Sequence, residues 1–220
     1  MIVFDLDDTL YLERDFASSG YRHLEEFVSR RCGQRGFGAA CAALFAAGER
    51  RNVLGRACQE MGIPAEPGLI AALVAEYRGH APEISLCPDA ARWLGRAQGP
   101  LGLITDGPAA MQQRKIAALG LPALIRHIRA TGAWGAGFGK PHPRAYQEME
   151  ALAAPRTAAE MAYVADNPAK DFLTPRARGW KTVQILRPGA VHDPAPPSPA
   201  HAAAARIQSL DELTPVLAAL

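Results

Sequence analysis

Apolar and polar residues follow two different patterns along the chain. Near the start, the apolar run Ile2–Phe4 stops at Asp5, which predicts a short buried strand with an acid at its carboxyl end. Between residues 15 and 80, apolar residues instead recur at the three- and four-residue spacing of helices, as at Phe16, Tyr21, Leu24, Phe27 and Val28. This second part is therefore expected to be a small all-helical module.

Strands and helices alternate from residue 86 onward. Apolar runs predict strands at 101–104, 125–130, 161–165 and 181–186. Periodic stretches predict helices at 108–119, 143–152 and 169–177, and a last strand and helix near 206–220. Asp89 is expected to cap a further helix. The proline-rich segment 188–199 is predicted to be an extended, mobile loop.

This alternation defines the expected fold class and domain organisation. Repeated strand–helix–strand units are right-handed and build a parallel sheet with helices on both faces. We therefore predict an α/β chain whose doubly wound core is formed by residues 1–13 and 84–220. Residues 14–83 are predicted to form the inserted helical domain.

Composition and charge narrow the possible partners. The chain has 24 basic and 22 acidic residues, giving a formal net charge of +2, and no block of basic residues stands out. A nucleic-acid or membrane partner recruited by a basic patch is therefore not expected. Neither a bilayer-spanning run nor a signal-type segment is evident, and the four cysteines lack zinc-like spacing. We expect a cytoplasmic protein with reduced thiols that acts on a small metabolite.

Lysine is rare in this chain. Only four of the 24 basic residues are lysines, at positions 115, 140, 170 and 181, and the others are arginines. Because arginine is the habitual basic residue here, a lysine at a functional position is less readily explained as an ordinary surface charge.

Three of the predicted strands end in aspartate, at Asp5, Asp106 and Asp166. In open parallel sheets, ligands bind in the crevice at the carboxyl ends of the strands. Asp106 taken alone is explained equally well as a helix cap. Three converging acids, joined by Asp7 and Asp171, would repel one another unless a cation lay among them. Clusters of carboxylate oxygens suit the hard cation Mg²⁺, so the pattern predicts a magnesium site.

The same residues carry a resemblance to a known family. The segment Asp5-Leu6-Asp7-Asp8-Thr9 resembles the first motif of the haloacid dehalogenase (HAD) superfamily, an Asp-x-Asp-x-Thr at the end of the first strand. Thr105-Asp106-Gly107, Gly139-Lys140-Pro141 and the stretch from Asp166 to Asp171 resemble its second, third and fourth motifs, in order. The resemblance implies a Rossmann-like core, and the helical insert is similar to the cap of one subgroup.

The resemblance also implies roles for the acids. Asp5 is expected to be the nucleophile, with one oxygen on Mg²⁺. Asp7 is expected to protonate the leaving group, to activate water afterwards, and to give its backbone carbonyl to the metal. Asp166 is expected to be a metal ligand. Asp171 and Asn167 are expected to lie behind the metal and to orient its surroundings.

Three further residues are expected to handle the phosphate. The resemblance implies that Thr105 binds phosphoryl oxygens through its hydroxyl and that Lys140 supplies a positive charge to the phosphate and the nucleophile. Asp106 is expected to take part in phosphate binding from the same loop. Roles for Glu13, Arg14 and His142 are left open between substrate contact and ordinary surface positions.

The expected activity is hydrolysis of a small phosphorylated metabolite, a sugar phosphate or a nucleotide, through an aspartyl-phosphate. Dehalogenases of the superfamily attack carbon and usually lack an acid at the position of Asp7, which disfavours dehalogenation here. Two alternatives stay open: a phosphomutase with the same motifs, and a non-catalytic binding module on the same fold. The sequence does not decide the oligomeric state.

Overall fold

A computed structural model describes residues 1–220. The chain divides into two compact units, one formed by Met1–Arg14 and Ser85–Leu220 and the other by Asp15–Ile84. The predicted boundaries after residues 13 and 83 differ from this division by one residue. Each unit has its own buried core, and each is described separately below.

The first unit is built on a six-stranded parallel sheet. Its strands are β1 (Ile2–Phe4), β2 (Leu101–Thr105), β3 (His127–Ala130), β4 (Ala162–Ala165), β5 (Lys181–Ile185) and β6 (Ala205–Ile207), in the spatial order β3-β2-β1-β4-β5-β6. Phe4 pairs with Leu103 of β2 and with Val164 of β4. This register brings the carboxyl ends of β1, β2 and β4 to one edge, so the predicted doubly wound parallel sheet is confirmed.

The chain has nine α-helices, which are divided between the sheet unit and the helical insert. They are α1 (Glu13–Cys32), α2 (Phe37–Ala46), α3 (Val53–Glu60), α4 (Pro67–Gly79), α5 (Pro88–Arg96), α6 (Ala109–Ala118), α7 (Arg144–Ala153), α8 (Leu173–Ala177) and α9 (Leu213–Ala219). None of them combines the length and the apolar character that crossing a bilayer requires.

The sheet core is packed tightly around β1 and β2. Every residue of β2 and β4 is buried, as expected for central parallel strands covered on both faces. On one face, Tyr146 packs edge-on against Tyr163 and Trp180, with ring centroids 5.4 and 5.7 Å apart. Gly102 leaves room for this layer, because a Cβ there would lie 3.0 Å from the Met149 sulfur and 3.1 Å from a methyl of Val3.

The helical unit has a separate apolar core formed by α1 to α4. Helix α1 contributes Tyr21 and Leu24, and Phe37 and Leu73 from α2 and α4 pack against the same cluster. A Cβ at Gly20 would lie 2.5 Å from the Tyr77 ring, so the absence of a side chain allows the two helices to approach closely. The all-helical character predicted for this region agrees with these elements.

Two local predictions were wrong. Helix α8 begins at Leu173 and not near residue 169, because Asn167 accepts a hydrogen bond from the backbone N–H of Ala169 at 3.0 Å and so forms a turn. Asp89 does not cap α5, whose N-cap is Cys87. Its carboxylate instead pairs with Arg187 at 3.0 Å and accepts from the Leu210 N–H at 2.7 Å. These contacts join α5 to the segments that follow β5 and β6.

Candidate active site

Three acids lie together at the carboxyl edge of the sheet. Asp5 directly follows β1, and its N–H continues the ladder by donating to the Val164 carbonyl at 2.9 Å. Asp166 directly follows the neighbouring strand β4, and Asp171 lies in the turn beyond it. Carboxylate oxygens of Asp5, Asp166 and Asp171 all lie within 4.8 Å of one another, and all three residues are buried. The structure thus places together the predicted nucleophile, one predicted metal ligand and a residue expected to lie behind the metal.

Lys140 is the ammonium in direct contact with this cluster. Its Nζ lies 2.6 Å from Asp5 Oδ1, 2.7 Å from Asp171 Oδ1 and 3.0 Å from the hydroxyl of Tyr163. The side chain is fully buried, so the charge has these partners in place of water. The predicted contact between Lys140 and the nucleophile is therefore present, while its contact with a phosphate stays a prediction.

One ammonium does not balance three carboxylates. Burial raises the pKa of Asp5 to about 6, even though Lys140 opposes the shift. Burial and the neighbouring charge of Asp5 raise the pKa of Asp166 to about 9. In addition, Asp166 Oδ2 is buried without a hydrogen-bond partner. The site therefore carries more negative charge than the lysines of the protein neutralise.

The donor set fits a hard divalent cation. All the candidate ligand atoms are oxygens, and the unpartnered Oδ2 of Asp166 provides an acceptor that a cation would satisfy. Asp171 belongs to the cluster, although its Oδ1 is taken by Lys140 and its Oδ2 accepts from the N–H of Asn167 at 3.2 Å. Asp171 and Asn167 therefore brace the loop that carries Asp166.

The Asp7 side chain points to a different set of partners. Its Oδ1 accepts from the Lys115 ammonium at 2.7 Å and from the Tyr11 hydroxyl, and its Oδ2 accepts from the Gln112 amide at 3.0 Å. Burial raises the pKa of Asp7, but the Lys115 charge and these hydrogen bonds outweigh burial, and the net shift is downward. Sequence reasoning missed Lys115, Tyr11 and Gln112. The scarcity of lysine was the one signal that pointed to Lys115.

Thr105 lies at the end of β2 and is fully buried. Its hydroxyl oxygen accepts a hydrogen bond from the same Gln112 amide that donates to Asp7. Since that bond uses the oxygen as acceptor, the hydroxyl hydrogen can be donated to an incoming oxygen. The arrangement is compatible with the predicted role of Thr105, and its contact with phosphate remains a prediction.

The Asp106 carboxylate is fully engaged within the protein. It accepts from the Thr131 hydroxyl at 2.7 Å, from the Lys140 N–H at 3.1 Å and from Lys170 Nζ at 3.3 Å. Burial raises the pKa of Asp106, but the charges of Lys140 and Lys170 and these hydrogen bonds outweigh burial. The net shift of the pKa is downward, so the carboxyl group stays ionised. Phosphate binding by Asp106 remains a prediction. Because its carboxylate is negative, only the backbone N–H groups of its loop can donate to a phosphate.

A cavity of about 240 Å³ opens at this edge. It is lined by four aspartates, two lysines and four further residues: Asp5, Asp7, Asp106, Asp166, Lys115, Lys170, Glu13, Gly107, Met111 and His192. Burial, followed by the charge of Asp7, raises the pKa of Glu13 to about 7. Glu13, whose role was left open from sequence, thus faces the site, whereas Arg14 and His142 do not line this cavity.

His192 reaches the cavity because the proline-rich segment is anchored beside the catalytic loop. Asp8 accepts from the Val191 N–H at 2.7 Å through one carboxylate oxygen and from the Glu13 N–H at 2.9 Å through the other. Asp8 itself has a φ of 50°, in the left-handed region that aspartate tolerates better than most residues. No local sequence pattern predicts this link between distant segments.

Comparison with known proteins identifies the family. A model of haloacid dehalogenase-like hydrolases matches residues 1–177, and the chain belongs to that family of hydrolases. No functionally curated protein matches the sequence significantly.

Solved structures share the fold over nearly the whole chain. A magnesium-bound structure of YfnB from Bacillus subtilis has 19% identity and a TM-score of 0.70, covering 98% of this chain and 97% of its own. A HAD family hydrolase from Deinococcus radiodurans with bound phosphate and sodium has 22% identity and a TM-score of 0.65, with 99% and 94% coverage. A 2-haloacid dehalogenase from Pseudomonas syringae has 21% identity and a TM-score of 0.66, with 99% and 97% coverage. The similar structures thus include proteins of different chemistry.

Proposed function

We propose that this protein is a Mg²⁺-dependent phosphatase that hydrolyses a small phosphorylated metabolite, a sugar phosphate or a nucleotide, through an aspartyl-phosphate at Asp5. The observation that carries the proposal is the cluster of Asp5, Asp166 and Asp171 around Lys140, with its excess of negative charge and the unpartnered oxygen of Asp166. Displacement at carbon does not need such a cation site, whereas attack by a carboxylate on an anionic phosphoryl group does.

The residues that would hold the cation are Asp5 and Asp166, through their carboxylates, and Asp7, through its backbone carbonyl. Bound there, Mg²⁺ would neutralise the repulsion between the attacking carboxylate and the phosphate. Lys140 adds a second positive charge at Asp5 Oδ1, so the nucleophile stays ionised and oriented. Thr105 donates its hydroxyl hydrogen to a phosphoryl oxygen, and Lys140 is shared between the nucleophile and that group.

Two proton transfers fall to Asp7. In the first half-reaction, an Asp5 oxygen bonds to phosphorus while the bond from phosphorus to the leaving oxygen breaks. Asp7 must enter this step protonated, although Lys115 lowers its pKa, and it gives its proton to the leaving oxygen. In the second, Asp7 takes a proton from water as the water attacks the aspartyl-phosphate and frees the Asp5 carboxylate and inorganic phosphate. The helical unit Asp15–Ile84 is assigned the role of a cap that recognises the leaving group.

The test is phosphate release from p-nitrophenyl phosphate and from a panel of sugar phosphates and nucleotides, with Mg²⁺ and with EDTA. We expect release that requires Mg²⁺ and that Asp5→Asn abolishes. Halide release from a 2-haloacid without metal would instead make the protein a dehalogenase. Transfer of the phosphoryl group back to a sugar phosphate, with little inorganic phosphate formed, would make it a phosphomutase.

A further inference from the structure

Lys115 is a buried lysine with no part in the reaction outlined above. It lies on α6, it is 2% exposed, and its ammonium is 2.7 Å from Asp7 Oδ1. Resting on the proposed function, we propose that Lys115 is the positioning residue of the general acid–base, with Tyr11 and Gln112 as its helpers.

The hydrogen bonds around Asp7 are divided unequally between its two oxygens. Oδ1 accepts from both Lys115 and Tyr11, whereas Oδ2 accepts only from Gln112. A carboxylate oxygen accommodates about two donors, so Oδ1 is saturated and Oδ2 retains an acceptor position. Oδ2 is therefore the oxygen that exchanges protons with the leaving group and with water, and Oδ1 is the anchor.

The reactive oxygen, Oδ2, is linked to Thr105 through Gln112. The Gln112 amide donates both to Asp7 Oδ2 and to the Thr105 hydroxyl, and Gln112 lies one turn before Lys115 on α6. One helix thus fixes Asp7, in the loop after β1, relative to the threonine at the end of β2. Correct placement of an acid is worth large factors in rate, because proton transfer requires hydrogen-bond distance to the reacting oxygen.

A solely structural salt bridge would make different demands. A buried ammonium requires a counter-charge wherever it lies. The Lys115–Asp7 contact alone would therefore be explained by a salt bridge that only stabilises the fold. That role does not explain why the lysine also lines the cavity at the catalytic edge, or why its partner is the acid two residues after the nucleophile. The two roles differ in one respect that can be measured: only positioning makes the effect of a mutation depend on the leaving group.

The experiment compares Lys115→Met with wild type on two substrates, p-nitrophenyl phosphate and a simple alkyl phosphate. The p-nitrophenolate leaving group is a weak base and needs no proton, whereas an alkoxide needs one. The ratio kcat/KM reports the steps up to release of the leaving group. We expect kcat/KM for the alkyl phosphate to fall roughly 10²-fold, the scale of a general acid, and that for p-nitrophenyl phosphate to fall at least tenfold less.

Three control variants and one inhibition measurement complete the design. Lys181→Met makes the same replacement at the start of β5, away from the cavity, and should leave both substrates unaffected. Tyr11→Phe removes only the second donor to Oδ1 and should show a smaller effect with the same preference for the alkyl phosphate. Lys115→Arg keeps the charge and should restore part of the lost activity. Inhibition by inorganic phosphate should be unchanged in Lys115→Met, because Lys115 does not hold the phosphate.

The outcomes separate the inference from the proposed function. If wild type releases phosphate and Lys115→Met loses equal factors on both substrates, or if Tyr11→Phe shows no leaving-group preference, positioning by Lys115 is overturned and the phosphatase activity stands. A weaker inhibition by phosphate in Lys115→Met would make Lys115 a phosphate ligand and would also overturn it. If wild type hydrolyses neither compound, the proposed function fails, and the role of Lys115 fails with it.

Discussion

At the scale of single residues, the main feature of the candidate active site is an excess of negative charge. Asp5, Asp166 and Asp171 converge on one lysine, and the acid at position 166 bears the largest cost because its Oδ2 has no partner. The same arrangement that destabilises the metal-free fold would favour a bound cation, and a cation that binds only the folded state would in turn stabilise it. Strained electrostatics of this kind are typical of functional sites.

The metal-free protein should therefore lose stability as the pH rises. Because the pKa of Asp166 is raised to about 9 in the folded state, the folded protein binds more protons than the unfolded chain between about pH 4 and pH 9. Its free energy of unfolding must decrease across that window. Urea unfolding in EDTA at pH 5 and pH 8 measures the decrease, and Asp166→Asn should reduce it.

Magnesium should act in the opposite direction on the same residue. At one hundred times its dissociation constant, a bound ion stabilises a protein by about 2.7 kcal/mol, and we expect a gain of this order for wild type at pH 8. Asp166→Asn should gain much less, while Asp193→Asn on the exposed loop should behave as wild type. Equal stabilisation of wild type and Asp166→Asn by Mg²⁺ would remove Asp166 from the cation site.

At the scale of elements, the register of β1 with β2 and β4 brings the proposed catalytic residues together. The strand positions could be predicted because short apolar runs that end in polar residues are a strong signal, and Asp5, Thr105 and Asp166 follow directly from them. The start of α8 was misplaced because the Asn167 side chain stabilises a turn that competes with a helix. Contacts between distant segments, such as Asp7 with Lys115 or Asp8 with Val191, have no local pattern and could not be predicted.

Close packing of the strands with α7 can be tested at Gly102. Replacement by alanine places a Cβ 3.0 Å from the Met149 sulfur and 3.1 Å from Val3 in a fully buried layer. We expect Gly102→Ala to lower the free energy of unfolding by about 1–3 kcal/mol, the usual cost of overpacking, as measured by urea denaturation.

Gly68 provides the matched control for this substitution. It lies in α4, it is exposed, and nothing lies within 4 Å of a Cβ built there. Gly68→Ala should be neutral or should stabilise the protein by up to about 1 kcal/mol, because alanine favours helix. If Gly102→Ala proved as harmless as Gly68→Ala, the close packing described for β2 would be contradicted.

At the scale of the whole molecule, the chain combines a parallel sheet that carries the candidate active site with a helical unit that has its own apolar core. The motifs at the strand ends identify the family, whose model matches residues 1–177. They do not identify the substrate, because the residues proposed to handle the phosphate all lie in the unit formed by Met1–Arg14 and Ser85–Leu220. Recognition of the leaving group is instead proposed for the helical unit and for Glu13 and His192, which line the cavity.

The central claim is that Asp5 becomes covalently phosphorylated, and borohydride reduction tests it most directly. An aspartyl-phosphate is an acyl phosphate, which borohydride reduces to homoserine, and the change is found by mass spectrometry of the peptide that contains residues 1–14. We expect homoserine at position 5 only after incubation with Mg²⁺ and p-nitrophenyl phosphate, whose leaving group needs no proton. More of it is expected in Asp7→Asn, which retains the nucleophile but lacks the base for hydrolysis. Unmodified Asp5 during active turnover, or modification at another residue, would contradict the mechanism.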